Sequence, residues 1–405
     1  MQNPFRSGER DFFLVEICYN ENEVISMKHF CLILLCLLLA GCAVSVPLET
    51  QVPSTIPPTE TLTDHSTEPP IVSIVNYIET MTTEEKVGQL FLSRYDEASA
   101  PEHVNAYHPG GFILFARDFQ NETPDSITHE IAALQAVSKI PLLMAVDEEG
   151  GSVVRISRYS AFRSSRFSAP RSLYQKGGEE LLLKTEAEKS QLLYSLGLNV
   201  NVGPVCDITT DFNAFMYSRS LGQDAQTTGA LIAKMVQTMA GNHVGSVLKH
   251  FPGYGNNVDT HVGIAVDRRS LEALETADLI PFRSGIDAGA DAILVSHTIV
   301  TALDDSLPAS LSPAVLGYLR TEMGFDGVAM TDDLVMEAIT DVYGAGEAAV
   351  LAVLAGNDLL CATEYVTQYN AVLAAVAEGR IPMERIEEAV YRILRWKAEL
   401  GLLVL

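Results

Sequence analysis

Val-Gly-Ser-Val-Leu-Lys-His-Phe-Pro-Gly-Tyr-Gly, at residues 244–255, is the stretch of this chain that constrains its fold most strongly. Its apolar start is typical of a buried strand. A chain that leaves a strand through Pro252 and two glycines cannot enter a helix at once, so a loop must follow. Because α/β folds place their chemistry on loops at the carboxyl ends of buried strands, Lys249 and His250 become candidate functional residues.

Four residues farther on, Asp259-Thr260-His261 adds a carboxylate and an imidazole to the same loop. Since Asp259 and His261 are two positions apart, their side chains lie on the same side of an extended chain. A carboxylate that binds one imidazole nitrogen fixes the tautomer and leaves the other nitrogen free for proton transfer. The pair therefore indicates a general acid/base. A Gly/Pro turn with a solvated histidine is the alternative interpretation.

Short apolar runs alternate with amphipathic stretches of helix length along the rest of the chain. Eight buried strands separated by helices are typical of an α/β fold of the (β/α)8 TIM-barrel type, which we expect residues 71–405 to form as a single domain. A doubly wound open sheet is the alternative, although no Gly-x-Gly-x-x-Gly or Walker pattern follows the first strand. The predicted strands are 87–92, 111–115, 142–146, 199–203, 246–250, 292–296, 327–331 and 358–361. Helices are predicted near 73–85, 124–138, 178–196, 224–241, 270–289, 312–323, 343–355, 365–378 and 382–400, with cap chemistry at Thr82-x-x-Glu85 and Ser312-Pro313.

Acidic residues follow two more of the predicted strands. After the third strand, residues 147–155 read Asp-Glu-Glu-Gly-Gly-Ser-Val-Val-Arg, in which a carboxylate at the strand end can accept hydrogen bonds from two hydroxyls of a ligand. Taken alone, this stretch also fits an acidic surface turn. The seventh strand ends in Asp332 and Asp333. Because neighbouring strand residues point to opposite sides, only one of these two carboxylates can face the barrel mouth.

Several other polar residues are weaker candidates. Arg219, in Tyr-Ser-Arg-Ser-Leu-Gly at 217–222, has a guanidinium whose fixed donors suit a ligand rich in hydroxyls and carbonyls. His297, after the sixth strand, fits a packed histidine at the barrel rim better than a pocket residue. We expect three further residues to organise loops: Asp207, Asp118 and Arg117.

The loop motif resembles glycoside hydrolase family 3, and specifically its β-N-acetylglucosaminidase branch. That branch has Lys-His-Phe-Pro-Gly-His-Gly followed by Asp-Ser-His, and this chain has Tyr254 and Thr260 where the pattern has the second His and the Ser. Residues 147–155 are similar to the family's Asp-x-Glu-Gly-Gly-Arg-Val-x-Arg, with Ser152 in place of the first Arg. Arg-Ser-Leu-Gly at 219–222 is similar to the family's Arg-Ser-Phe-Gly, and Thr-Asp-Asp-Leu-Val-Met at 331–336 fits its Ser/Thr-Asp-Asp/Ala-Leu-x-Met. The resemblance therefore runs from about residue 74 to the C-terminus.

The resemblance implies a retaining, exo-acting β-N-acetylglucosaminidase. Asp332 would be the nucleophile and His261 the acid/base, assisted by Asp259. The residues that would bind the terminal sugar are Asp147, Arg155, Arg219, Lys249 and His250. The implied substrates are N-acetylglucosamine-capped oligosaccharides or muropeptides derived from the cell wall, and no metal or organic cofactor is implied. Three alternatives remain: a family 3 β-glucosidase or β-xylosidase, a phosphorolytic variant, and a lipoprotein that binds cell-wall sugars without turnover.

Composition excludes several classes of partner. The formal net charge of −25 argues against binding to nucleic acid and against electrostatic attachment to anionic lipid. Of the six cysteines, we expect only Cys206 and Cys361 to remain as free thiols in the folded body, on opposite sides of the barrel. Their spacing predicts neither a disulfide scaffold nor a zinc site.

The first 70 residues predict a leader and a tether. Within residues 1–42, we expect the true start at Met27. A short basic segment, Met-Lys-His at 27–29, precedes an apolar run at 30–39 that is too short for a permanent membrane span. The leader ends in Leu-Ala-Gly-Cys, which resembles a bacterial lipobox with Cys42 as the lipidated residue. An ordinary signal peptide with a chance cysteine is the alternative. Residues 43–70, rich in Ser, Thr and Pro, predict a flexible tether, so we expect an extracytoplasmic protein held at the membrane by lipid.

Overall fold

The computed structural model describes residues 71–255, 265–336, 339 and 342–405. Its centre is a parallel eight-stranded sheet in the order β10-β1-β2-β3-β4-β5-β7-β9. The strands are β1 (Phe91–Arg94), β2 (Gly111–Leu114), β3 (Leu143–Val146), β4 (Val200–Asn201), β5 (Gly245–Phe251), β7 (Ala292–Val295), β9 (Val328–Thr331) and β10 (Leu360–Ala362). Two short strands, β6 (Val266–Asp267) and β8 (Ile299–Val300), pair with each other in a separate sheet.

The two end strands of the sheet, β9 and β10, meet and close it into a barrel. Met330 forms a parallel bridge with Leu359, next to β10. The backbone amide of Asp358 donates to the carbonyl of Ala329 at 2.7 Å, and that of Thr331 donates to the carbonyl of Leu359 at 3.1 Å. An open doubly wound sheet would leave these edges unpaired, so the predicted (β/α)8 barrel is confirmed.

Helices alternate with the strands and cover the barrel. Thr82 and Glu85 form the predicted capping box, and Ser312 accepts a hydrogen bond from the Val315 amide as an N-cap. The helices are α1 (Ile71–Glu79), α2 (Thr83–Gln89), α3 (Ala100–Tyr107), α4 (Pro124–Val137), α5 (Pro170–Ser195), α6 (Ala225–Ala240), α7 (Leu271–Ala273), α8 (Leu279–Asp287), α9 (Pro313–Thr321), α10 (Ala345–Ala355), α11 (Tyr365–Ala377) and α12 (Met383–Glu399). Single helical turns lie at Ala116–Phe119, Leu274–Asp278 and Ala309–Leu311.

The sequence-based prediction was wrong at the first helix and the first strand. The predicted helix at 73–85 is two helices, and the predicted strand at 87–92 begins only at Phe91. The cause is the capping box at Thr82, which starts a new helix, so that Val87 is a buried helical residue rather than a strand residue. The prediction also missed α3 and the two-residue strands β6 and β8, which are too short to give a periodic pattern.

The amino end of the barrel is closed by α12. Fully buried side chains such as Val247 fill the interior, and Ile393 and Trp396 of α12 belong to the same apolar cluster. A Cβ on Gly245, the first residue of β5, would lie 2.8 Å from Trp396 Nε1, so the helix packs directly against the strand backbone. The carboxyl ends of the strands therefore remain as the end at which a ligand can enter.

Lys397 of α12 predicts an unusual dependence of stability on pH. The side chain is fully buried and its Nζ donates to Gln89 Oε1 at 2.6 Å. Burial lowers the pKa of Lys397 to about 7, whereas an unfolded lysine titrates near about 10.4. Between these values the unfolded chain binds a proton that the folded chain does not. Stability should therefore be highest above the unfolded pKa and fall toward pH 7, by about 1.4 kcal/mol per pH unit.

Urea unfolding of the wild type and of Lys397→Met at pH 7 and pH 9 measures this effect. We expect the wild type to gain about 2–3 kcal/mol more than the variant over that interval. Equal gains in the two proteins would show that other groups set the dependence.

Candidate active site

A cavity of about 640 Å³ lies among residues at the carboxyl ends of the barrel strands. The six predicted site residues that the structure describes all line it: Asp147, Arg155, Arg219, Lys249, His250 and Asp332. They come from the loops after β3, β4 and β9 and from β5 itself. The fold thus brings together residues up to 185 positions apart in sequence. The other three predicted residues, Asp259, His261 and Cys42, lie outside the described residues.

Lys249 is the buried cation of the site. Its Nζ lies 2.7 Å from Asp147 Oδ1 and 2.7 Å from Glu149 Oε1. Burial would lower the pKa of Lys249, but the two carboxylates outweigh it and raise that pKa. Burial likewise opposes ionisation of Asp147, yet the charges of Lys249 and Arg155 hold its pKa below the ordinary value. Both partners are therefore charged at neutral pH.

Glu149 forms a second, two-point ion pair with Arg219. Arg219 Nε and Nη2 donate to the two carboxylate oxygens at 2.9 and 2.7 Å. Although burial raises the pKa of Glu149, the charges of Lys249 and Arg219 hold it well below the usual range. Glu149 was not predicted as a site residue, although it is the Glu of the Asp-x-Glu-Gly-Gly pattern at 147–151. This carboxylate joins two of the cations of the site, Lys249 and Arg219.

Glu148, between the two cavity-facing carboxylates, has a different task. Its carboxylate is fully buried and accepts hydrogen bonds from the backbone amides of Arg155 and Ile156 at 2.7 and 2.9 Å. It also accepts one from the Ser157 hydroxyl at 2.5 Å. Glu148 therefore fixes the turn that carries Arg155, and residues 147 and 149 point into the cavity as alternation predicts.

His250 is held in one tautomer. Its Nδ1 lies 2.7 Å from Asp207 Oδ2, and its Nε2 lies 3.1 Å from Arg219 Nη2. Because a guanidinium can only donate, Nε2 must accept, so the ring proton is on Nδ1 and is donated to Asp207. Asp207 Oδ1 also accepts from the Tyr254 amide at 2.7 Å. Asp207 thus organises the loop, as predicted, and in addition orients His250.

The backbone of β5 explains why two consecutive side chains face the cavity. The pairing register between β5 and β7 shifts between Leu248 and Phe251. Such a bulge interrupts the alternation of side chains and re-aims them, which lets Lys249 and His250 both line the cavity. The peptide bond between these two residues is cis.

Asp332 and Asp333 have different surroundings. Among the described residues, the Asp332 carboxylate accepts one hydrogen bond, from the Asp333 amide at 2.9 Å. The Asp333 carboxylate accepts bonds from the Thr363 hydroxyl at 2.5 Å and from the Val335 amide at 3.2 Å, and burial raises its pKa. Asp333 is thus engaged in holding its loop. Both carboxylates line the cavity, contrary to the expectation that only one would face it, and Asp332 is the less engaged of the two.

Two weaker sequence interpretations agree with the structure. His297 is fully buried, with Nδ1 2.7 Å from the Ser310 hydroxyl and Nε2 3.0 Å from the carbonyl of Asp333, so it is a packed histidine. Asp118 accepts from the Phe115 amide at 2.7 Å and forms a two-point ion pair with Arg94 at 2.6 and 2.9 Å. Asp118 therefore organises its loop. Arg117 is mostly exposed, with Nε 3.7 Å from Asp118 Oδ1.

Apolar groups complete the cavity. Cys361 is buried, and burial raises its thiol pKa well above the ordinary value, so it is not a ready nucleophile. Cys206 is also a free, buried thiol, as predicted. A cavity lined by both charged and apolar groups suits a sugar ring, which has hydroxyls at its edge and C–H groups on its faces. The apolar lining includes Ile113, Phe115, Val202, Phe215, Leu294, Met330, Val335 and Met336.

Replacement of Glu149 by Gln should weaken both fold and site. The change leaves Lys249 and Arg219 with one carboxylate fewer in a buried place, which typically costs about 3–5 kcal/mol of stability. We expect a lower melting temperature and, in the reaction that the family resemblance implies, a kcat/KM reduced on the order of 100-fold.

Glu148→Gln is the matched control for Glu149→Gln, because Glu148 bonds to backbone amides rather than to the cavity cations. Glu148→Gln should lower the melting temperature and have a smaller effect on kcat/KM of the folded enzyme. Equal kinetic losses in the two variants would contradict a role of Glu149 in the site.

Comparison with known proteins finds a matching family model and several similar proteins. The model described as "Glycosyl hydrolase family 3 N terminal domain" matches residues 82–396. Beta-hexosaminidase LpqI of Mycobacterium tuberculosis is 31% identical over 329 residues, covering 78% of this chain and 83% of the relative. Beta-hexosaminidase A of Pseudoalteromonas piscicida is 31% identical over 327 residues, covering 74% of this chain and 55% of the relative.

A solved structure shares the fold. It is that of a glycoside hydrolase family 3 beta-N-acetylglucosaminidase from Paenibacillus sp. str. FPU-7, with 34% identity and a TM-score of 0.75. The match covers 80% of this chain and 63% of that one. The chain thus spans less than two thirds of the Paenibacillus and Pseudoalteromonas proteins.

Proposed function

The chain belongs to glycosyl hydrolase family 3, a family of glycoside hydrolases, and from this premise we propose that it is a retaining, exo-acting β-N-acetylglucosaminidase. The observation that carries the proposal is that the carboxylate of Asp332, which accepts one hydrogen bond among the described residues, lines the same cavity as Lys249, Arg219 and His250. Relatives named beta-hexosaminidase support the choice of sugar.

The proposed reaction is a double displacement. Asp332 attacks the anomeric carbon and forms a glycosyl ester, while the bond to the aglycone breaks and its oxygen takes a proton from His261. His261 then removes a proton from water, which attacks the ester and releases the sugar with its original configuration. Asp259 orients the imidazole of His261 and stabilises its charged form.

The paired charges of the cavity would bind the terminal sugar. An ammonium has three donors, and among the described residues Lys249 gives two of them to Asp147 and Glu149, which leaves one for a hydroxyl. Asp147 and Arg155 offer an acceptor and donors on the same side of the cavity. Because these groups are held by one another before the substrate arrives, little ordering is required on binding.

We also propose where the enzyme acts and on what. N-acetylglucosamine-capped fragments of peptidoglycan are the proposed natural substrates. The leader would be cleaved before Cys42, which would carry the lipid. Residues 43–70 would form a tether, and the body from residue 71 would stand outside the cytoplasm on the lipid anchor. Within the described part of the chain, no helix has the length and apolarity to cross a bilayer.

Cys42→Ala should move the protein from the membrane fraction to the soluble fraction. Because the body carries excess negative charge, it is not attracted to anionic lipid, and the lipid chain on Cys42 would be the anchor. The measurement is high-speed sedimentation of cell lysates in high salt, followed by immunoblotting. Cys36→Ala is the control, because this cysteine precedes the proposed cleavage point and its loss should leave sedimentation unchanged. A Cys42→Ala protein that still sediments would contradict the lipid anchor.

Parallel assays with p-nitrophenyl N-acetyl-β-glucosaminide and p-nitrophenyl β-glucoside test the proposed specificity. We expect a much higher kcat/KM for the N-acetylglucosaminide. A preference for the glucoside would indicate a family 3 β-glucosidase, and binding of N-acetylglucosamine without turnover would indicate a sugar-binding protein. Faster release in phosphate buffer, with sugar 1-phosphate as product, would indicate phosphorolysis.

A further inference from the structure

Outside the cavity, a second charge cluster lies beside the loop that follows β5. Arg269 Nη2 and Nε lie 2.6 and 2.9 Å from Asp267 Oδ2, and Nη1 lies 2.6 Å from Asp278 Oδ2. Both carboxylates belong to residues that are only 2% exposed. An arginine that bridges two buried carboxylates is fixed in direction, because breaking either pair would leave a buried charge without its partner.

The guanidinium and Asp278 lie directly against the backbone of the loop. Arg269 Nη2 lies 3.4 Å from the Gly253 carbonyl oxygen. A Cβ on Gly255 would lie 2.6 Å from Arg269 Cζ, and one on Gly253 would lie 2.7 Å from the Asp278 side chain. Both glycines have positive φ, at 54° for Gly255 and 118° for Gly253. The end of the Lys-His-Phe-Pro-Gly-Tyr-Gly motif is therefore seated on this ion pair, at a distance that only glycine permits.

The guanidinium of Arg269 also binds Asp267, which follows the loop after β5. Asp267 belongs to β6, which pairs with β8, and its carbonyl accepts a hydrogen bond from the Thr301 amide at 2.9 Å. Residues 256–264 connect Gly255 to the residue just before β6. Arg269 thus contacts Gly255 at the start of this nine-residue segment and Asp267 just after its end.

We propose that Arg269 is a positioning residue for the acid/base pair, acting by fixing the two ends of segment 256–264, which carries Asp259 and His261. The inference rests on the proposed function of those two residues. The separation of the ends of a short segment limits where its side chains can reach. A displacement of about 1 Å at a reacting group can cost on the order of 100-fold in rate.

The variants that test this role are Arg269→Gln and Arg269→Lys, with Arg268→Gln as the matched control. Arg268 is the adjacent residue of the same type, and its side chain is exposed. Each variant is assayed with an N-acetylglucosaminyl disaccharide and with 2,4-dinitrophenyl N-acetyl-β-glucosaminide, with and without azide. Melting temperature reports on the fold, and His261→Ala is measured in parallel.

We expect Arg269→Gln to lower kcat on the disaccharide about 30-fold or more, with a much smaller loss on the aryl glycoside in azide and little change in KM. Arg269→Lys, which keeps the charge but not the two-point geometry, should recover part of the rate. The double variant Arg269→Gln/His261→Ala should be no slower than His261→Ala alone, because both changes remove the same function.

Equal losses on both substrates, additivity with His261→Ala, or a profile like that of Arg268→Gln would overturn the positioning role. If His261→Ala itself has no preference for good leaving groups, the acid/base assignment fails and this inference fails with it. If His261→Ala has that preference and Arg269→Gln does not, the assignment stands and only the role of Arg269 is rejected.

Discussion

Asp332→Asn should lower the glycosidase kcat at least about a thousandfold and leave the fold and the affinity for the sugar unchanged. The amide keeps the shape of the side chain and can still accept the hydrogen bond from the Asp333 amide, but it cannot form the glycosyl ester. The measurements are kcat with an aryl N-acetylglucosaminide, the melting temperature, and titration calorimetry with N-acetylglucosamine. Turnover above about a tenth of the wild-type value would exclude Asp332 as the nucleophile.

Asp333→Asn is the matched control for this substitution. The two carboxylates are adjacent in sequence, but Asp333 is engaged by the Thr363 hydroxyl and the Val335 amide. Its replacement should loosen the loop and reduce kcat by about tenfold or less, in line with the loss of a few hydrogen bonds. A larger kinetic loss from Asp333→Asn than from Asp332→Asn would reverse the assignment.

His261→Ala should produce the second large effect, and its size should depend on the leaving group. In a disaccharide the departing sugar is a poor leaving group and needs a proton as the bond breaks, so we expect kcat to fall by about a hundredfold or more. An aryl glycoside needs less help in that step, although water attack on the ester remains slow without a base. Azide should restore part of this second step, because it attacks without proton removal, and should yield a glycosyl azide.

Asp259→Asn is a milder change to the same pair. It should give the same dependence on the leaving group in weaker form, since it removes orientation and charge but leaves the imidazole. Similar losses on good and poor leaving groups, with no effect of azide on either variant, would mean that His261 only binds the sugar. The acid/base would then be a different residue.

The barrel could be predicted because each of its strands is a short apolar run followed by a turn signal. That pattern located seven of the eight barrel strands, including β5 and β9, within a few residues. It failed at β1, where Val87 and Leu90 continue the apolar run but belong to a helix and to its C-cap. The cap residues at Thr82 and Glu85 were recognised in the sequence, but the apolar run after them was interpreted as a strand, although the cap begins a helix there.

The site was predicted less completely than the fold. Lys249, Asp147 and Asp332 were recognisable because residue type and strand-end position agree with a family pattern. The role of Glu149 depends on its two-point contact with Arg219, 70 residues away, and only the folded barrel creates that contact. The same is true of Asp207, whose bond to His250 fixes a tautomer that sequence alone does not specify.

Mapping a trapped glycosyl-enzyme identifies the residue that acts as the nucleophile. The His261→Ala variant, mixed with 2,4-dinitrophenyl N-acetyl-β-glucosaminide, should accumulate the covalent intermediate, because the first step needs little acid assistance and the second lacks its base. Peptic digestion at low pH and tandem mass spectrometry then locate the sugar. We expect an N-acetylglucosaminyl ester on Asp332. An ester on Asp333 or on any other residue, or turnover with no covalent sugar at any time point, would contradict it.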